Sequence, residues 1–277
     1  MSYKLYKIDK QINITGFYTA FESYYSSDYT FEGEAHDFWE IMYIKKGRTR
    51  VSADERIYEL GEGEMIFHKP MEFHKFVKLG DEDLNFFIFS FSVKGSGMKQ
   101  FENAVLELSH EQKYAFSDII YFVREHEKAT YKVRTVSHLE DENSADFLAI
   151  LKNMLELFFM RDLKNTAKEI KSLSTSEALI FKKAVKMMHS EVSQNLSAED
   201  FARSCNVSLS YLKKIFAKHA GIGIHEYFLN LKISEATKLL KDGHTVTETA
   251  EMLAFSSQNY FSTTYKRMTG TSPNKVK

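Results

Sequence analysis

A single cysteine, Cys205, stands among 277 residues, so no disulfide can form within the chain. The opening stretch MSYKLYKIDK lacks the apolar core of a secretory signal. Both observations predict the reducing cytoplasm as the natural compartment. Long apolar runs are missing too: stretches such as 85–93 and 154–160 fall well short of the roughly 18 uninterrupted apolar residues that cross a bilayer. A membrane-spanning sensor is thereby excluded, and no membrane partner is expected. Net charge is also nearly absent, at −1. What is present, 43% hydrophobic and 27% charged residues, excludes a disordered or fibrous chain and leaves room for two domains.

The small net charge hides a division. Residues 178–277 carry 14 Lys+Arg against 8 Asp+Glu, a net of +6, whereas residues 1–177 carry 23 against 30, a net of −7. Only the C-terminal part is suited to meet a polyanion. The patterning divides in the same way. Across residues 1–95, short aromatic and β-branched runs at 38–44, 49–52, 57–60, 64–68, 73–77 and 85–92 are separated by turn residues, which predicts a barrel or sandwich. Across 96–171, Phe116, Ile119, Ile120 and Val123, then Phe147, Ile150, Leu151, Met154, Leu157 and Phe158, recur at three- and four-residue steps, as on two helices. The second stripe is wider than one covering helix needs, so this segment is expected to pair two chains. Between the helices, 128–143 is polar and reads as a loop. A Ser/Thr-rich linker at 172–177 precedes residues 178–277, which read as short helices throughout.

That helical part repeats itself. Ala202 and Val207 recur as Ala250 and Phe255 at an offset of 48, and Tyr211, Leu212, Phe216 and Gly221 recur as Tyr260, Phe261, Tyr265 and Gly270 at an offset of 49. Each copy has the grammar of a helix-turn-helix: a capped helix with a small Ala at the crossing, a turn, and a second helix whose apolar residues face inward. The outward face of the second helix carries Ser210, Tyr211, Lys213, Lys214, Ala217 and Lys218 in the first copy, and Gln258, Asn259, Ser262, Thr263, Lys266 and Arg267 in the second. Amides pair bidentately with adenine, hydroxyls bond base edges or phosphate, and lysine and arginine neutralise phosphate. Two such faces, joined by a helix over 224–240, predict sequence-specific contact with duplex DNA.

The segments NLSAEDFA, VSLSYLKKIFAKHAGIGIHEYFLNLKISEATKLL, VTETAEMLAF and QNYFSTTYKRMTGTSP resemble the C-terminal DNA-binding domain of the AraC/XylS family of bacterial transcription regulators over residues 196–273. The resemblance implies a cytoplasmic one-component regulator that is no enzyme, binds promoter DNA, pairs as a homodimer and meets RNA polymerase. Lys232 stands where that family usually has Arg, and Ala254 where it usually has Gly.

In the N-terminal part, EAHDFWEIMYIKKG is similar to the first cupin motif and GEGEMIFHKPMEFH to the second. Period two puts Glu34, His36 and Glu40 on one strand face, and the cupin pattern brings His74 across to them. Cupin enzymes use three His and one Glu, and here Glu34 takes the place of the first His. His36, Glu40 and His74 could hold a metal, which would suit the rival reading of a metal-dependent cupin enzyme fused to a helical domain. The regulator resemblance implies instead no cofactor and a pocket, lined by Glu34, His36, Glu40 and His74, for a small organic effector, a carbohydrate being one candidate. Trp39 is expected on the outer face, and His68 as a plain strand or turn residue. The fold expected is thus α+β and multidomain: a cupin-like β-barrel with flanking helices, then an all-α domain with two helix-turn-helix motifs.

Overall fold

The computed structural model describes residue 6 and residues 10–29, 31, 33–130, 143–163 and 173–276. The polar segment 128–143 thus lies largely outside the described residues, as does the entry to the linker. Eight strands lead the described chain: β1 (Asn13–Tyr25), β2 (Trp39–Lys46), β3 (Arg48–Ala53), β4 (Arg56–Leu60), β5 (Glu64–His68), β6 (His74–Leu79), β7 (Leu84–Lys94) and β8 (Val105–Glu107). They form a five-stranded sheet in the order β1-β7-β2-β5-β8 and a three-stranded sheet in the order β4-β3-β6.

The barrel expected from the sequence is therefore not formed. The two sheets are separate and open, with no ladder joining them among the described residues. At the side where β1 approaches β6, side chains fill the gap. After β1 the chain runs along the free edge of β6, where the Phe31 amide donates to the Phe76 carbonyl, the Lys78 amide to the Tyr29 carbonyl, and Glu34 and His74 exchange both backbone bonds. Tyr25 stacks on Tyr29 and Phe31 on Phe76, at ring centroid distances of 3.8 and 5.3 Å. The segment after β1 thus pairs along the β6 edge and these rings pack beside it, while β1 itself and β6 form no ladder with each other. The result is a sandwich. Met42, Ile44, Ile66, Phe86 and Ile88 of the larger sheet share one apolar core with Val51, Tyr58, Leu60 and Phe76 of the smaller.

The outer face of the larger sheet is covered by helices. Phe87, Phe89 and Phe91 alternate outward along β7 and are fully buried against α1 (His110–Thr130) and α2 (Asn143–Leu157). Each such ring contributes about 1.5–3 kcal/mol by leaving water. Trp39 faces this helical layer and is buried in it, so its outward direction holds. The buried Glu156 near the end of α2 accepts the Ile14 backbone amide at 2.8 Å and pairs with Lys10, tying the helix to β1.

The C-terminal helices are α3 (Ser176–Ser190), α4 (Ala198–Ser204), α5 (Leu209–His219), α6 (Ile224–Lys241), α7 (Val246–Met252) and α8 (Gln258–Thr269). Side-chain caps set most of their starts: Thr175, Ser197, Ser208, Thr245 and Ser257 each accept a backbone amide of the first turn. Ser197 with Asp200, and Thr245 with Glu248, complete capping boxes. Two apolar cores result, one around α3, α4, α5 and the start of α6, the other around the end of α6, α7 and α8. The first extends across the domain boundary: Ile57 and Phe73 of the sandwich are buried among these helices, with Phe73 edge-on to Tyr227 at 5.1 Å. Among the described residues, no helix is long and apolar enough to cross a membrane.

Candidate functional site

The larger sheet carries one polar rung between its apolar ones. Thr19 of β1 pairs with Ser90 of β7, Ser90 with Glu40 of β2, and Glu40 with His68 of β5. Residues paired across strands share a face, so four polar side chains point together into the sandwich. Thr19 donates to Ser90 and Ser90 to Glu40, both at 2.7 Å. From the opposite side, His74 at the start of β6 places Nε2 3.3 Å from Glu40 Oε1 and 3.8 Å from Glu34 Oε1. His36 places Nε2 3.6 Å from Glu40 Oε2. His36 is not on a strand, as period two had it. Residues 35–38 lie outside any strand, and the His36 ring turns back to stack on Phe38 at 3.8 Å. The site residues read from the sequence, Glu34, His36, Glu40 and His74, thus come together, although the geometry that unites them differs from the one expected.

Thr19, Ser90 and His68 were missed by sequence reasoning. Nothing in one strand tells which residue of another lies opposite it, and register carried that information here. His68 is more than a plain strand residue: it is fully buried, stacks on His74 at 4.2 Å, and hydrogen-bonds Glu72 through Nδ1 at 2.7 Å.

These groups form the polar end of a cavity of about 280 Å³, whose remaining wall combines rings such as Phe21, Tyr25, Phe76 and Phe86 with Met42, Val51 and Ile88. Burial works to raise the Glu40 pKa, but the imidazoles of His36 and His74 prevail and hold it well below the usual carboxylate range. Burial likewise works against a charged His74, yet Glu40 and Glu34 lift its pKa to about 9. The pair is therefore ionic at neutral pH. The Nε2 atoms of both His36 and His74 are buried without completing a hydrogen bond. Glu34, His36, Glu40 and His74 offer ligand atoms within 4.8 Å of one another, a spacing a metal ion could also use.

The second candidate surface is the pair of outward helix faces. Ser210, Tyr211, Lys213, Lys214 and Lys218 on α5 are exposed, as are Gln258, Asn259, Thr263, Lys266 and Arg267 on α8, with Ser262 half-buried. Two are already engaged within the domain: Lys218 pairs with Glu177 of α3, and Gln258 accepts a 2.9 Å hydrogen bond from Thr247 of α7. Between the surfaces lies a cleft of about 470 Å³, and its walls include His36 and Phe38 on one side and Thr237 and Tyr265 on the other. Asp37 spans it to Lys241 at 2.6 Å.

Comparison with known proteins agrees with this order of parts. Residues 17–113 match the description of an AraC-like ligand binding domain, and residues 201–277 that of a helix-turn-helix domain. The chain is 22% identical over 254 residues to the HTH-type transcriptional activator RhaR of Mannheimia succiniciproducens, covering 87% of this chain and 85% of that one. It is 19% identical over 240 residues to the HTH-type transcriptional regulator YbfI of Bacillus subtilis, covering 83% and 81%. Among solved structures, ToxT from Vibrio cholerae O395 is similar at 17% identity and a TM-score of 0.39, covering 96% of this chain and 97% of that one. These relatives are transcription regulators, and the rival reading of a cupin enzyme has no counterpart among them. An AraC-like ligand binding domain over residues 17–113 followed by a helix-turn-helix domain over residues 201–277 is the arrangement of an AraC-type DNA-binding transcription regulator.

Proposed function

We propose that the sandwich cavity holds a small polyhydroxylated effector and that α5 and α8 together read promoter DNA. The observation that carries the effector reading is the cavity's polar end, where the imidazoles of His36 and His74, an ionised carboxylate and two hydroxyls converge on one wall. A ligand's hydroxyls can bond directly to groups whose contacts with one another are long, 3.6 Å for His36–Glu40 and 3.3 Å for His74–Glu40. Donors and acceptors interleave over a few ångströms, as adjacent hydroxyls require, and aromatic walls suit the C–H faces of a sugar ring. Glu34 and Glu40 disfavour an organic acid.

Titration of the full-length protein with neutral sugars and polyols, with primary amines and with carboxylates tests this. The expected outcome is a rise in Tm with the first class alone, abolished by Glu40→Gln. A rise only with amines or carboxylates, or with none, would reject the assignment.

On the DNA side, Gln258 and Asn259 are assigned to base edges, with Ser210, Tyr211, Ser262 and Thr263 beside them, and Lys213, Lys214, Lys218, Lys266 and Arg267 to phosphate. Two chains pair through α2, where Ile150 and Leu157 remain about half exposed, at 47% and 49%, one heptad apart. Sedimentation of the full chain as a monomer at high micromolar concentration would remove the pairing.

A further inference from the structure

We infer that Lys232 is the positioning residue that sets the spacing between the two DNA-reading helices. Lys232 lies in the middle of α6, the helix shared by both helix-turn-helix units, and is only 6% exposed. Its ammonium donates to the Gln194 carbonyl at 2.8 Å and to the Leu253 carbonyl at 2.5 Å. Gln194 belongs to the turn that leads into α4, the first helix of the first unit. Leu253 caps the end of α7, the first helix of the second unit. The same nitrogen lies 4.9 Å from the Phe228 ring centre and 5.8 Å from that of Phe255, one ring from each unit's core.

A cation in such a place is costly to desolvate, and burial pushes the Lys232 pKa down to about 8. Its retention there follows from what it joins. Each unit has an apolar core of its own, and those cores would survive the loss of one ammonium. The mutual angle of the units rests on the shared helix α6 and on the contacts made across it. Val192 packs against both cores, but an apolar contact is non-directional, whereas two hydrogen bonds from one nitrogen fix two carbonyls relative to each other. Base readout by two helices on one face of DNA needs their separation to match the helical repeat, so an error in that angle is read as an error in spacing. Lysine reaches both carbonyls with a single nitrogen; arginine's fork reaches them with two.

This rests on the reading that α5 and α8 contact DNA together. The experiment selects a bound site from random duplexes with the full-length wild-type protein. Affinity is then measured on that site and on derivatives with one or two base pairs inserted or removed between its two protected segments. The wild type is expected to lose at least about tenfold per step of altered spacing. Lys232→Met is expected to bind the selected site about tenfold more weakly, with its discrimination between spacings largely gone, and Lys232→Arg to restore both. Where Lys232→Met does not fold by circular dichroism, Lys232→Gln, which keeps one donor group, is read by the same outcomes. Spacing discrimination unchanged in the folded variant would overturn the role of Lys232. A wild type indifferent to spacing would instead overturn the two-helix reading on which it rests.

Discussion

Ala254 adopts φ of 50°, and its counterpart in the first repeat, Asn206, adopts 57°. Asparagine tolerates the left-handed region, while alanine has a Cβ that crowds the following carbonyl and no polar group to compensate. Ala254→Gly is therefore expected to stabilise the protein by about 1 kcal/mol, seen as a raised midpoint in urea unfolding. A second prediction concerns His74. Its pKa rises from 6.5 to about 9 on folding, so the native state holds that proton more tightly than the unfolded chain. The contribution, on the order of 3 kcal/mol, is full below the unfolded value and disappears as pH climbs through the folded one. Glu40, held low, contributes above its unfolded pKa of 4.5 and loses that contribution as pH falls. Unfolding free energies measured from about pH 6 to pH 9.5 should decline, and Glu40→Gln should flatten the decline. At this scale His36, Glu40 and His74 were legible through the resemblance to the two cupin motifs, although the strand spacing that placed His36 beside Glu40 is not formed. The Ser90 and Thr19 hydroxyls that complete the rung were not, since they come from strands whose pairing partners depend on packing.

Among the elements, the helices of the repeat were the most legible, because caps, inward periodicity and turn residues agree at each of them. Ser208 caps α5 and Thr245 caps α7, and Thr247 is left to hold Gln258. β1 escaped notice although it spans 13 residues: Glu22, Ser23 and two tyrosines interrupt the apolar alternation, and its place as a sheet edge allows such residues. The closed barrel was overcalled for a related reason. Strand runs and turns are local signals, while closure depends on whether the last edges meet, and here the β6 edge is met by the connecting segment 29–34 instead of by β1. For α8, Gln258→Ala is expected to relax sequence preference with a loss of about 1–3 kcal/mol on the selected site and little on random duplex. Lys266→Ala should weaken both alike and reduce the salt dependence of binding. Parallel losses for the two variants on both duplexes would contradict that division.

For the whole molecule, the apolar seam between sandwich and helices has a thermodynamic consequence. Phe73 and Ile57 are as much a part of the first helix-turn-helix core as of the sandwich, and the Leu173 amide donates to the Ile57 carbonyl at 2.6 Å where the chain enters the helices. Opening one part strips cover from the other, so neither can melt while its neighbour keeps its native surface. Scanning calorimetry of the full chain should accordingly show the sandwich and the first helical unit in one peak, its van't Hoff and calorimetric enthalpies equal, and Phe73→Ala should split that peak into two. What looks like a boundary between a sensor and a reader is expected to behave, in terms of heat, as the interior of a single cooperative unit.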